Sequence, residues 1–141
     1  MKENEPKFHL ASPVKDLKKT KLFYTSILGC DIGRQSKTWI DFNFFGHQLV
    51  THLSPNDCKT TNINYVDYDK IPSRHFGVIL PLNEWVLLKE KIELNSIHFH
   101  IKPKTRFKGA KGEQNIFFIS DPNGNIIEMK SLKNESYLFD E

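Results

Sequence analysis

Cysteine is scarce in this sequence, with only Cys30 and Cys58 among 141 residues. Two cysteines are too few for the disulfide framework of a small secreted protein, so we expect both to be free thiols. No apolar run approaches the roughly 18 residues that cross a bilayer, and the start of the chain lacks the apolar region of a signal peptide. These absences predict a cytoplasmic protein with no membrane partner.

An excess of charge of one sign is missing as well. Lys and Arg number 20 against 17 Asp and Glu, a formal charge of only +3. That excess is too small to indicate a nucleic-acid-binding protein, and we expect no such partner. Intrinsic disorder is excluded by a composition typical of folded domains, 38% hydrophobic and 26% charged. The length of 141 residues suits one domain with one core.

The sequence does contain an internal repeat. Residues 8–53 predict a strand, a helix and then three strands, and residues 74–132 predict the same order. The predicted helices, at residues 17–28 and 82–94, each carry apolar side chains on one face. Such helices bury that face against a sheet. The fold class is therefore predicted as α+β, with two βαβββ modules whose helices lie on the outer faces.

The rest of the chain is assigned around these modules. Residues 54–73 contain two prolines and many polar side chains, and we interpret them as a long connection. A connection of this length often marks a module boundary or the cover of a site. Residues 133–141 form a mostly polar tail. We therefore expect residues 1–141 to be a single domain built from two modules.

The last strand follows a tight turn, Asp-Pro-Asn-Gly-Asn at residues 121–125. Proline restricts φ in this turn, the Asp and Asn side chains can bond to nearby backbone, and Gly124 can adopt a positive φ. Alternation then places Ile127 and Met129 on one face of the strand and Glu128 on the other. A carboxylate inside an apolar strand is costly unless a cation or a metal accompanies it.

Two histidines occupy equivalent places in the repeat. His9 and His75 stand at the start of the first strand of each module, opposite the side chains that should meet the helices. Together with Glu128 they would face the open side of the sheets. Two His and one carboxylate form the ligand set of a divalent metal that keeps open coordination positions. We predict that these three residues bind one transition metal, and the ligand set leaves Fe(II), Ni, Co, Zn and Mn open.

These motifs resemble the vicinal oxygen chelate superfamily, which contains glyoxalases, bleomycin- and fosfomycin-resistance proteins, and extradiol dioxygenases. The resemblance extends over about residues 8–132 and depends on the order and spacing of several short motifs. They are the strand His near the start, Val-Lys-Asp-Leu at 14–17, His-Phe-Gly-Val at 75–78, and the turn at 121–125 with its following Glu128. The resemblance implies a cupped mixed sheet around a metal and assigns the family's ligands to His9, His75 and Glu128.

The resemblance also implies a function. We expect a metal-dependent enzyme acting on a small molecule, with dioxygenase-like or lyase- or isomerase-like chemistry at a metal that chelates substrate oxygens. A metal-free protein that sequesters a small molecule, as in antibiotic resistance, is the alternative. The ligand that glyoxalase I takes from the first module falls on Val50, which cannot bind a metal. His52, on the same face, is therefore the candidate ligand or general base. Family members often dimerise, so a homodimer is a further expectation.

Candidates for substrate binding lie in two places. Residues 103–113 predict a basic loop, where Arg106 or Lys108 could meet an anionic group of the substrate while Phe107 shields it. The alternative is a solvated loop with no partner. In the first module, Asn43 and Phe44 are expected to line the pocket.

Overall fold

The structure is a computed structural model that describes residues 3–59, 62–66 and 68–140. The chain divides into two compact units. Unit 1 contains Met1–Thr60 together with Asp121–Asn125, and unit 2 contains Thr61–Ser120 together with Ile126–Glu141. Cys30 and Cys58 are both free thiols, as predicted. None of the helices in the described ranges is long and apolar enough to cross a membrane.

Unit 1 contains the first module. Its elements are β1 (His9–Val14), α1 (Leu17–Leu22), β2 (Asp31–Gln35), β3 (Trp39–Phe44) and β4 (His47–Leu53). A π-helical turn at Phe23–Ile27 continues α1, and a 3-10 turn at Pro55–Asp57 follows β4. The sheet order is β1-β4-β3-β2, in which β1 is parallel to β4 and the other pairs are antiparallel.

Local signals explain where the first helix begins and ends. The Asp16 carboxylate caps α1 by accepting a hydrogen bond from the backbone N–H of Lys19 at 3.0 Å. Gly29, with a φ of 73°, follows the π-helical turn in the left-handed conformation that commonly ends helices. The predicted helix at 17–28 is therefore present as α1 and its π-helical continuation.

The core of unit 1 lies on one face of its sheet. Tyr24 is fully buried there, and its ring lies 5.0 Å from that of Phe42. Ile40 and Leu49 are buried on the same face of β3 and β4. Because side chains alternate along a strand, the residues between them, including Asp41, lie on the opposite face. That opposite face carries the polar side chains of the first module.

Unit 2 contains the second module, two additional strands and a 3-10 turn at Glu135–Tyr137. Its elements are β5 (Ile63–Val66), β6 (Asp69–Pro72), β7 (Phe76–Ile79), α2 (Leu82–Leu94), β8 (Phe99–Arg106), β9 (Gln114–Ser120) and β10 (Ile126–Leu132). The sheet order is β7-β10-β9-β8, with β7 parallel to β10 and the other pairs antiparallel. Strands β5 and β6 form a separate antiparallel pair, which we call the β5–β6 ribbon.

The two four-stranded sheets have the same order, and each has its one parallel pair at the same place. This confirms the predicted α+β fold of two βαβββ modules, and α2 occupies the range predicted for it, Leu82–Leu94. The domain boundaries at 8–53 and 74–132 stay predictions.

Two segments differ from the sequence prediction. Residues 54–73 were expected to be a long connection, but they contain the β5–β6 ribbon. Its buried residues Ile71 and Pro72 are adjacent at the end of β6, so the ribbon gives little hydrophobic periodicity. The predicted loop at 103–113 begins later, because β8 continues through Pro103 to Arg106. Strand β8 is at the edge of its sheet, where a proline does not have to donate a ladder hydrogen bond.

Candidate functional site

In unit 2, Glu128 has the charged partner that its position in an apolar strand requires. The side chain is only 8% exposed, and its Oε2 lies 3.1 Å from Nε2 of His75. Lys130 is more distant, with its Nζ 3.7 Å from Oε1 of Glu128. The imidazole of His75 packs against the ring of Phe118, with the centroids 5.2 Å apart. The second module therefore places two of the predicted metal ligands together.

The pairing of β7 with β10 brings this histidine and this carboxylate together. Gly77 lies opposite Glu128 in the parallel register, and His75 precedes Gly77 by two residues. A Cβ at Gly77 would lie 1.6 Å from the backbone oxygen of Glu128, so only glycine permits this approach of the strands. On the other face of β10, the indole Nε1 of Trp85 donates to the backbone oxygen of Met129 at 3.0 Å, which anchors α2.

The protonation of His75 is defined by its two neighbours. The Nδ1 atom lies 2.7 Å from the carbonyl oxygen of Pro72, and because a carbonyl only accepts, Nδ1 must donate. The hydrogen bond to Glu128 raises the pKa of His75 above its ordinary value, and the bond to Pro72 adds to this, while burial opposes both. When the ring is neutral its proton therefore lies on Nδ1, and the lone pair of Nε2 is available.

The β5–β6 ribbon packs on the face of the second sheet that carries Glu128. Ile71 contacts a buried cluster with Ile116 and Phe118, and Phe118 is directly opposite Glu128 in the β9–β10 register. The ribbon also supplies the Pro72 carbonyl that holds His75. It is thus part of the site, although the sequence analysis assigned no residue of this segment a role.

Arg106 is engaged with the same ribbon and does not face an open site. Its Nη2 donates to Asp69 at 2.9 Å, Lys104 donates to the same oxygen at 2.6 Å, and the Arg106 side chain is only 8% exposed. The hydrogen bond from Lys104, followed by that from Arg106, lowers the pKa of Asp69 against the effect of burial. The prediction that Arg106 binds a substrate anion is therefore corrected, because its charge is already paired. Phe107 and Lys108 are exposed after β8, and their roles stay predictions.

In unit 1, His9 is part of a chain of polar contacts. Its Nδ1 lies 2.7 Å from Oε1 of Gln48, the residue directly opposite it in the β1–β4 register. The Nε2 atom of Gln48 lies 3.5 Å from a carboxylate oxygen of Asp41, and the Nε of Arg34 is also 3.5 Å from that oxygen. Asp41 is only 6% exposed. Gln48 and Asp41 were not among the predicted site residues, although Asp41 interrupts an apolar strand just as Glu128 does.

These residues line a cavity of about 460 Å³ in unit 1. Its walls include His9, Asp41, Asn43 and Gln48, and the substrate-binding role of Asn43 stays a prediction. Phe44 does not line this cavity, because it follows Asn43 in the strand and is buried on the opposite face. The expectation that both residues face one pocket is corrected by the alternation of β3.

His52 lies away from His9 along β4. It pairs with Pro13 and Trp39, whereas His9 pairs with Gln48, four residues earlier on β4. At about 3.3 Å per residue this separation is about 13 Å. His52 is exposed at that end of the strand. The register thus does not place His52 beside His9, and its role as a ligand or general base stays a prediction.

The three-residue metal site stays a prediction. His75 and Glu128 are together in unit 2, and His9 belongs to unit 1. Across the described ranges, no three His, Cys, Asp or Glu side chains form a group that could hold a metal ion.

Comparisons with known proteins identify the family. The sequence model of the Glyoxalase/Bleomycin resistance protein/Dioxygenase superfamily matches residues 8–129. Among solved structures, the chain is similar to a glyoxalase/bleomycin resistance protein/dioxygenase from Alicyclobacillus acidocaldarius, with 31% sequence identity and a TM-score of 0.79. That match includes 99% of this chain and 100% of the other. A search of curated protein sequences found no match.

Two more distant structures share the fold. The fosfomycin resistance protein FosX from Listeria monocytogenes is 17% identical, with a TM-score of 0.68 over 93% of this chain and 96% of that chain. A lactoylglutathione lyase from Agrobacterium tumefaciens is 16% identical, with a TM-score of 0.65 over 99% of this chain and 100% of that chain. Because the family model matches nearly the whole chain, and the repeated sheets agree with it, this protein belongs to the glyoxalase/bleomycin resistance protein/dioxygenase superfamily.

Proposed function

We propose that this protein is a metal-dependent enzyme acting on a small molecule, with His9, His75 and Glu128 holding one divalent transition metal. The observation that carries the proposal is the buried carboxylate of Glu128, whose Oε2 lies beside Nε2 of His75. A carboxylate with 8% of its surface exposed is costly without a cation, and a metal ion would supply that positive charge.

The hydrogen bonds of these histidines, and not only the residue types, suit metal ligands. Histidine ligands in metal sites usually donate their second ring N–H to an oxygen acceptor, which orients the ring and raises its basicity. Here His75 donates from Nδ1 to Pro72, and Nδ1 of His9 lies beside the amide oxygen of Gln48. Each ring thus has Nε2 left to bind an ion. Of the metals consistent with this ligand set, Fe(II), Ni, Co, Zn and Mn all remain open.

A metal bound there would act as a Lewis acid that chelates two substrate oxygens and stabilises the negative charge that develops on them. The residues of the chain contribute positioning and the exclusion of water. Phe118 packs against His75, and the buried ribbon residue Ile71 packs against Phe118, so water has little access to this side of the imidazole. The cavity in unit 1, about 460 Å³, is large enough for a small-molecule substrate.

The test is metal analysis of anaerobically purified protein, comparing wild type with Glu128→Ala. We expect the variant to lose most of the bound transition metal, because the carboxylate is the one anionic ligand of the three. Glu93→Ala is the matched control, since Glu93 is a half-exposed carboxylate on α2 that pairs with Lys89 at 3.8 Å, away from the proposed ligands. A wild-type protein that takes up none of the five metals, even when each is added in excess, would contradict the proposal.

A metal-free binding protein is the second candidate, and two contacts of Glu128 favour it. Glu128 is already accompanied by His75 and, at 3.7 Å, by Lys130, so its charge is partly compensated by the chain itself. Thermal denaturation with and without each metal separates the two functions, because a ligand that binds only the folded state raises the melting temperature. No shift with any metal would favour the binder. A homodimer and a cytoplasmic location remain predictions under either function.

A further inference from the structure

We propose that Gln48, oriented by the buried carboxylate of Asp41, is a positioning residue that holds His9 in the Nδ1–H tautomer and leaves Nε2 free for a ligand. The identity of that ligand as a metal rests on the proposed function. The tautomer itself does not, because it follows from contacts inside unit 1 alone.

Asp41 is the buried acceptor that the side chains of Gln48 and Arg34 contact. Its side chain is 9% exposed, and its Cβ lies close to Gly33 on the neighbouring strand. Both of its described polar neighbours, Nε of Arg34 and Nε2 of Gln48, are donors at 3.5 Å. Arg34 is itself held over the ring of Trp39, with its guanidinium carbon 5.8 Å from the ring centroid.

The carboxylate determines which way the Gln48 amide faces. With the NH₂ group towards Asp41, the amide hydrogens meet a negative charge, whereas the reversed amide would place its own oxygen against that charge. The reversed orientation is therefore disfavoured by electrostatic repulsion from the buried carboxylate of Asp41. The amide oxygen of Gln48 must then face His9, at 2.7 Å from Nδ1.

The tautomer of His9 follows from that oxygen. An amide oxygen only accepts, so Nδ1 must carry the proton when the imidazole is neutral. The lone pair then lies on Nε2, the atom left to bind an ion. His75 reaches the same state by another route, through the backbone oxygen of Pro72. The two modules thus favour the same tautomer of their histidines, and they do so with unrelated hydrogen-bond acceptors.

Gln48 can orient His9 because of its position in the repeat. Gln48 follows the turn residue Gly46 by two positions, as Ile126 follows Gly124 in the second module. Isoleucine cannot accept a hydrogen bond, so the second module takes its acceptor from the β5–β6 ribbon instead. The first module has Gln48 in the strand itself, directly opposite His9.

The test is nitrogen NMR of the His9 ring in ¹⁵N-labelled, metal-free protein, at an alkaline pH where the imidazole is neutral. We expect the wild-type protein to show Nδ1 protonated and Nε2 bare. Gln48→Leu removes the acceptor and should shift the ring towards Nε2–H. Gln35→Leu is the matched control, because it makes the same change on the exposed edge strand β2 and should leave the His9 signals unchanged.

A second measurement connects the tautomer to metal binding. Competition with a chelator for Zn²⁺ should show about a 10- to 100-fold loss of affinity in Gln48→Leu, the usual effect of removing an outer partner of a histidine ligand, and no loss in Gln35→Leu. The inference is overturned if wild-type His9 is protonated on Nε2, or if Gln48→Leu leaves its tautomer unchanged. If the tautomer responds as expected but wild-type protein binds no metal, the proposed function fails while the positioning role stands.

Discussion

The two modules have the same backbone topology and differ in the side chains that their sheets carry. In the second module, Glu128 lies at the centre of β10 and pairs with His75 under the packed β5–β6 ribbon. In the first module the equivalent position is Val50, and the buried acid is Asp41 on the next strand, beside a cavity. The repeat therefore preserves where the strands lie, whereas the groups that orient the two histidines differ, a side chain of β4 for His9 and a backbone carbonyl of the β5–β6 ribbon for His75.

The largest expected effect concerns how closely the strands approach. Gly77→Ala would place a methyl group 1.6 Å from the backbone oxygen of Glu128, and because backbone atoms cannot move aside as a side chain can, β7 must separate from β10. We expect a loss of about 3 kcal/mol or more in the free energy of unfolding, measured by urea denaturation.

Gly33→Ala is the matching change in the first module. The new Cβ would meet the Cβ of Asp41 at 3.3 Å and the nearest backbone oxygen at 3.8 Å. We expect a change of within about 1 kcal/mol in either direction. Equal costs for the two substitutions would show that the second module does not depend on a uniquely close strand pair.

The next largest effect concerns the ribbon. Asp69→Asn leaves the buried guanidinium of Arg106 without its anion, and we expect about 2–3 kcal/mol of destabilisation at neutral pH. Because the pKa of Asp69 is lowered from its ordinary 3.8, this stabilisation is complete above that value and is lost as the pH falls through the folded-state pKa. The difference between wild type and variant, measured by denaturation at several pH values, should therefore shrink in acid.

The control for the Asp69–Arg106 pair is an ion pair in the first module. Arg34 is 81% exposed where it meets Asp41, so Arg34→Ala should cost less than about 1 kcal/mol. A cost for Asp69→Asn as small as this would mean that the charges of the ribbon add little to its attachment.

The smallest effects concern how each helix is anchored. Trp85 donates to the backbone at Met129, and Tyr24 donates from its hydroxyl to the Asp121 carboxylate at 2.9 Å. Trp85→Phe removes buried apolar area and leaves the Met129 carbonyl without its indole donor, so we expect a loss of about 2 kcal/mol in the free energy of unfolding.

Tyr24→Phe should cost about 1 kcal/mol, because Asp121 also accepts from the backbone N–H of Asn123 and Asn125. Thermal denaturation of both variants checks this order, and a larger cost for Tyr24→Phe would reverse it.

Much of the fold could be predicted because its signals are local. The alternation around Glu128 correctly separates it from Ile127 and Met129, and helix periodicity correctly locates α2. The errors occurred where local signals are weak. The β5–β6 ribbon buries few apolar side chains, and β8 contains a proline and lysines that are tolerated only because it is an edge strand.

Strand register decides which side chains meet in the site. Counting along β4 made His52 a candidate, and the pairing across β1 and β4 places Gln48 directly opposite His9. Register depends on hydrogen bonds between residues about forty positions apart in the sequence, so it is not contained in the pattern of either strand alone.

The sequence by itself determined the repeated modules, the family to which they belong, and the strand faces on which His75 and Glu128 lie, because periodicity and turn chemistry are properties of neighbouring residues. Only the tertiary structure decided that Arg106 pairs with Asp69, that Pro72 and Gln48 hold the two imidazoles, and that the buried Asp41 lies beside Gln48. Those partners are distant in the chain, and which of them meet depends on how strands pair and what packs over each sheet.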